Sequence, residues 1–141
     1  MTLASIEVSD APSDGERAAI LAVLNAYNDQ AGPPIEQRLV AVTVRDDAGA
    51  IVGGLWGRIA YRWLFVQYLA LPPMMRGQGV GSRLMRAAED EALGSGCVGV
   101  WLDTFSFQAQ GFYERLGYAP FARIDDYPPG ESRIFLRKRL G

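Results

Sequence analysis

The sequence predicts a mixed α/β domain, a central mixed sheet with helices on its faces. Three observations predict it. Two apolar runs of strand length, Leu64–Leu71 and Cys97–Asp103, read as buried strands. A loop with glycines at alternate positions, Gly77, Gly79 and Gly81, joins the first run to a helical stretch. The full order of elements reads β-α-β-β-β-α-β-α-β-β, with no repeat and no linker.

Ser5–Asp10 is expected as a short first strand. In "GERAAILAVLNAYNDQAG", Ile20, Leu21, Leu24 and Tyr27 recur at helical spacing, and Gly32 with two prolines is a stop. Leu39–Arg45 and Ala50–Ile59 flank the turn Asp46-Asp47-Ala48-Gly49 and form a hairpin. The next strand, "YRWLFVQYLALPP", is apolar on both faces and belongs in the middle of the sheet. Pro72 and Pro73 end it.

Val80–Leu93 is expected as a helix with Val80, Leu84, Ala87, Ala88 and Leu93 on its packed face. The glycines of "GSG" stop it. After the Cys97–Asp103 strand comes a short helix, Gln108–Gly117. Two strands, "YAPFARIDDY" and "SRIFLRKRL", close the fold around "PPG".

Composition narrows the chemistry. The chain has 141 residues, 49% apolar and 21% charged, which fits one domain with a single core. No stretch reads as a membrane span, so no membrane partner is expected. The first residues do not form a secretion signal, which makes a cytoplasmic location the default. The net charge is −2 without a basic block, which disfavours nucleic acid as a partner. There is one cysteine, Cys97, and no histidine. That leaves no Ser-His-Asp or Cys-His catalysis and no metal site of the usual zinc kind. A general base has to be a carboxylate, tyrosine, lysine, amine terminus or water.

Three phosphate-binding patterns compete for the glycine loop. A Walker A loop needs a lysine that Gly81-Ser82 lacks. A dinucleotide fingerprint needs its third glycine one residue later, and follows the first strand of a sheet. Asp103 falls about where that fingerprint's ribose carboxylate would lie, a coincidence in a loop that lacks the fingerprint's glycine spacing. The third pattern, Arg/Gln-x-x-Gly-x-Gly/Ala after an apolar strand, is filled by Arg76-Gly77-Gln78-Gly79-Val80-Gly81.

With its preceding strand, this loop resembles the acyl-coenzyme A loop of the GNAT N-acetyltransferase superfamily. "FYERLGY" (Phe112–Tyr118) resembles the family's second block, "YEKLGF", on the expected element about 30 residues downstream. Ala109 and Tyr113 fit the longer form of that block, and Ser106 stands where the family has Asn. The resemblance covers about Leu39 to the C-terminus and identifies residues 1–141 as a single N-acetyltransferase domain of GNAT fold. That fold splays two parallel strands, here Leu64–Leu71 and Cys97–Asp103.

The resemblance implies acetyl-coenzyme A as co-substrate and no metal. The pantetheine arm would bind the backbone of Leu69, Ala70 and Leu71. The pyrophosphate would bind Arg76, Gly77, Gln78, Gly79, Val80, Gly81 and Ser82 at a helix N-terminus. Arg83 could add a phosphate contact, although a solvated helix face explains Arg83 and Arg86 equally well. Ser106 would touch the cofactor and cap the helix starting near Phe107.

The implied reaction is direct attack of an amine on the thioester. Tyr113 would be the acid that protonates the leaving thiolate. Asp103 is the first candidate for base, ahead of Glu131, Asp125 and Asp126, and a water chain would also serve. Cys97 opens a buried strand with no histidine to activate it and reads as a packed thiol.

The acceptor, a small molecule or a peptide amine, would meet Tyr27, Trp56, Phe105, Tyr127 and Glu131, with Trp63 and Phe107 as further aromatic candidates. The acids Glu131, Asp125 and Asp126 suggest a cationic acceptor. Self-association as a homodimer stays open. The competing class is a non-catalytic module that binds acyl-coenzyme A for regulation or interaction.

Overall fold

The structure, a computed structural model, describes residues 5–141. They fall into two compact units, one ending at Ile35 and one spanning Glu36–Gly141. The first unit carries α1 (Asp14–Ala31). Ser13 caps it: its Oγ accepts from the Glu16 N–H at 3.0 Å, and Glu16 accepts in return from the Ser13 N–H at 3.2 Å. Ser5–Asp10, expected as a strand, is irregular backbone. Its apolar side chains are Ile6 and Val8, and among the described residues no strand pairs with it, so the alternation alone does not make a strand.

The second unit is built on a sheet. β1 (Arg38–Arg45) and β2 (Ile51–Ala60) form the expected hairpin. Asp46 sets its turn by accepting from the N–H groups of Ala48 and Ala50, both at 2.9 Å. Tyr61 and Arg62, both with positive φ, turn the chain into β3 (Trp63–Ala70).

A single 3₁₀ turn, Pro73–Met75, leads to α2 (Val80–Gly94). Then follow β4 (Gly99–Phe105), α3 (Gln110–Arg115), β5 (Ala119–Asp125) and β6 (Ser132–Arg139). The strand order is β1-β2-β3-β4-β6-β5. Only β3 and β4 run parallel; every other neighbouring pair is antiparallel. The sheet is thus mixed, as expected.

Leu64, Val66, Val100, Leu102 and Leu136 on one sheet face meet Leu84, Met85, Ala88 and Ala92 of α2 in the core. This corrects the expected helix face. Met85 and Ala92 are buried, while Ala87 is exposed and Leu93 is 48% exposed. The i, i+4 row through residues 84, 88 and 92 sets the seam, and Leu93 lies one residue beyond it.

Candidate active site

β3 and β4 pair in register from Trp63–Gly99 to Val66–Leu102, and there the ladder ends. The cause lies on the other side of β3. Trp56 of β2 faces Tyr68 while the next residue, Gly57, faces Val66, so Gln67 is an extra, bulged residue. A bulge bends its strand and breaks pairing locally. Beyond it, Tyr68–Ala70 keep their β2 partners but have none on β4. The result is a cleft of about 990 Å³. Val66–Leu71 form one wall, and Asp103, Thr104 and the 107–115 segment form the other.

The glycine loop closes one end of the cleft. Gly77 and Gly79 have φ of +76° and +78°, and a Cβ on either would meet nothing within 4 Å. Backbone conformation demands glycine at both positions, and the space beside them stays open. Gly81 has a different reason. It lies in the first turn of α2, where a Cβ would come within 3.1 Å of the Phe112 ring. The helix therefore packs directly on α3. Gly79 is the N-cap of α2, so the amides of Val80, Gly81 and Ser82 have no partner within the helix.

Not every expected loop residue points its side chain here. Gln78 donates its side-chain amide to the Met74 carbonyl at 3.0 Å and lines a second groove with Arg45, Arg83 and Arg86. Arg76 lines the cleft, and so does Arg115, which the sequence reading did not single out. Its place in "FYER", two residues after Tyr113 on a short helix, was the available signal.

Tyr113 lines the cleft and is 9% exposed. Burial pushes its phenol above the ordinary range, and the nearby Asp103 charge adds to the rise. The group is therefore a protonated donor at neutral pH. Asp103 lines the same cleft and is held by Arg133, with Nε at 3.0 Å from Oδ1 and Nη2 at 2.8 Å from Oδ2.

The expected acceptor residues separate. Phe105 and Tyr127 pack together, ring centroids 5.5 Å apart, with Phe107 stacked on Phe105 at 5.4 Å. Glu131 accepts a hydrogen bond from the Ser106 hydroxyl. Trp56 is 42% exposed on β2 and does not line the cleft. Tyr27 lies on α1, in the N-terminal unit. Asp125 is taken by Arg123 and Ser132, whose hydrogen bonds hold its carboxyl below the usual range.

Ser106 does not cap α3, which begins at Gln110 with Ala109 at its N-cap. Its Oγ accepts from the Ser132 N–H at 2.9 Å, tying the end of β4 to β6. No side chain caps α3; Gln108, just before it, also binds the end of β4, its Oε1 accepting from the Phe105 N–H at 2.9 Å and from the Thr104 hydroxyl at 3.1 Å.

Cys97 is buried in the turn before β4, outside the cleft, and burial raises its thiol pKa. Among the described residues no group of three or more potential ligands could hold a metal ion. No helix among them is long and apolar enough to cross a membrane.

Residues 5–118 match the model of the acetyltransferase (GNAT) family. The chain is 37% identical over 134 residues to acetyltransferase Atu2258 of Agrobacterium fabrum, covering 95% of this chain and 96% of that one. It is 39% identical over 126 residues to blasticidin-S acetyltransferase of Streptomyces morookaense, covering 89% and 91%. The crystal structure of a protein assigned as an acetyltransferase from Agrobacterium tumefaciens superposes with a TM-score of 0.92 at 35% identity, covering 97% of this chain and all of that one.

Proposed function

The chain belongs to the acetyltransferase (GNAT) family, and we propose that it transfers the acetyl group of acetyl-coenzyme A to a small-molecule amine. The observation that carries this reading is the abrupt end of the β3–β4 ladder at Val66–Leu102, with the first turn of α2 and Tyr113 both at the opening.

The residues present fit the co-substrate. An open cradle at Gly77 and Gly79, beside helix amides and near Arg76 and Arg115, suits a pyrophosphate. The bare edge of β3 at Leu69–Leu71 suits an amide-bearing arm that adds to the sheet as a strand would. A backbone N–H of this segment is also suited to polarising a carbonyl oxygen. Gln78 contributes backbone, not side chain.

Bound acetyl-coenzyme A would supply an acetyl thioester. A cationic acceptor first gives one proton to solvent water; the neutral amine nitrogen then bonds to the acetyl carbon and the carbon–sulfur bond breaks. Tyr113 gives its phenolic proton to the departing sulfur. Asp103 accepts hydrogen bonds from the amine on lone pairs that Arg133 leaves free and takes the proton the nitrogen sheds. Return of that proton to Tyr113 through water resets the site.

The acceptor reading is supported by the relative that acts on blasticidin-S, which covers 89% of this chain. Asp103, which lines the cleft, favours an amine that arrives as a cation. Calorimetry with acetyl-coenzyme A, followed by thiol release with a panel of amines including blasticidin S, tests the proposal. Acetyl transfer to at least one amine is expected. Binding without thiol release for any amine would contradict it and favour a cofactor-binding module.

A further inference from the structure

α3 has six residues. A helix this short is marginal on its own hydrogen bonds and cannot fix a side chain by itself. The placement of Tyr113 at the cleft must come from what packs on it. Two rings do so edge-on: Phe112 at 5.1 Å and Tyr118 at 6.2 Å between centroids. Phe112 is a neighbour on the same short helix. Tyr118 is anchored elsewhere.

Tyr118 is 2% exposed and fixed at each end. Its backbone N–H donates to the Tyr113 carbonyl at 3.1 Å. Its hydroxyl donates to Oε2 of Glu89, on α2, at 2.6 Å. The other oxygen of Glu89 receives Lys138 Nζ at 3.0 Å, and that ammonium also lies 5.6 Å from the centre of the Tyr118 ring. The side chain of Glu89 is 13% exposed. A carboxylate this buried with both oxygens engaged is a stiff mount. A phenylalanine at residue 118 would fill nearly the same space; the hydroxyl adds a fixed direction.

We propose that Glu89 and Tyr118 form a strut that holds the Tyr113 ring where its hydroxyl can reach the leaving sulfur, and that both are positioning residues for acetyl transfer. The proposal rests on Tyr113 being the acid. The strut starts on the helix whose first turn forms the anion cradle. Cradle and acid are thereby referenced to one rigid element, α2.

The test is a double-mutant cycle on kcat, with the dissociation constant for acetyl-coenzyme A and the melting temperature measured alongside. Tyr118→Phe is expected to lower kcat by up to about tenfold, as a misplaced catalytic group does, with cofactor affinity unchanged. In a Tyr113→Phe background the same substitution should leave kcat alone while still lowering the melting temperature. Glu89→Gln, which loosens the same hydroxyl without touching a ring, is the second variant and should behave alike. An equal kcat loss in both backgrounds, or a melting change with no kcat change, would overturn the strut. Tyr113→Phe with unaltered kcat would instead overturn the acid, and the strut with it.

Discussion

Arg133 holds both oxygens of Asp103, Nε at 3.0 Å and Nη2 at 2.8 Å, while its third nitrogen donates to the Tyr127 hydroxyl at 3.2 Å. The same guanidinium lies 5.9 Å from the Phe105 ring centre and 5.3 Å from that of Tyr127. A built-in cation thus already occupies the aromatic group that the sequence suggested for the acceptor's ammonium.

Arg133→Lys keeps the charge and removes the fork that fixes the carboxylate plane. It should lower kcat/KM for the acceptor by roughly tenfold, because Lys does not replace a bidentate Arg. Cofactor affinity should not move. Steady-state kinetics with calorimetry check this. Weaker acetyl-coenzyme A binding with unchanged acceptor kinetics would place Arg133 in the wrong half of the site.

Gly79→Glu puts a side chain and a negative charge into the open cradle and should abolish acetyl-coenzyme A binding in a folded protein. Gly81→Ala separates the two roles of the glycines. Its Cβ would press on Phe112, 3.1 Å away, a ring that also lines the cleft. The gain of about 1 kcal/mol that Ala usually brings to a helix over Gly should therefore not appear. Calorimetry and thermal melts measure both. Full-affinity binding by Gly79→Glu would refute the cradle.

The alkaline limb carries its own signature. Burial first, then Asp103, raises the Tyr113 phenol; burial first, then the Glu89 hydrogen bond, raises that of Tyr118. A raised folded pKa contributes stability that is fully present below the unfolded value of about 10 and is lost as pH rises through the folded value. The melting temperature should fall above about pH 10. Tyrosinate absorbance should show two late-ionising phenols, one absent in Tyr113→Phe and one in Tyr118→Phe. If Tyr113→Phe removes an early-ionising phenol, the assignment fails.

What the sequence disclosed follows from which signals are local. The apolar runs of β3 and β4, the glycine loop and Tyr113 are written in contiguous residues, and the structure brings them to one cleft. The bulge at Gln67 was not legible, because it exists only in the register of β2 against β3. Arg133 and Glu131 reach the end of β4 from β6 and the turn before it, a pairing that no spacing rule exposes. Ser106 suits an N-cap by composition, but the Ser132 N–H competes for its oxygen and wins. The Glu89–Tyr118 bond was hidden for the same reason: it is a contact between elements.

The most direct test of the whole account is the crystal structure of this protein with acetyl-coenzyme A. The pantetheine arm is expected along Leu69–Leu71, the pyrophosphate on the amides from Gly77 to Ser82, and the thioester sulfur within about 3.5 Å of the Tyr113 hydroxyl, the reach of a proton donor. Density in the other groove, beside Arg45, Arg83 and Arg86, would contradict it, as would a sulfur pointing away from Tyr113.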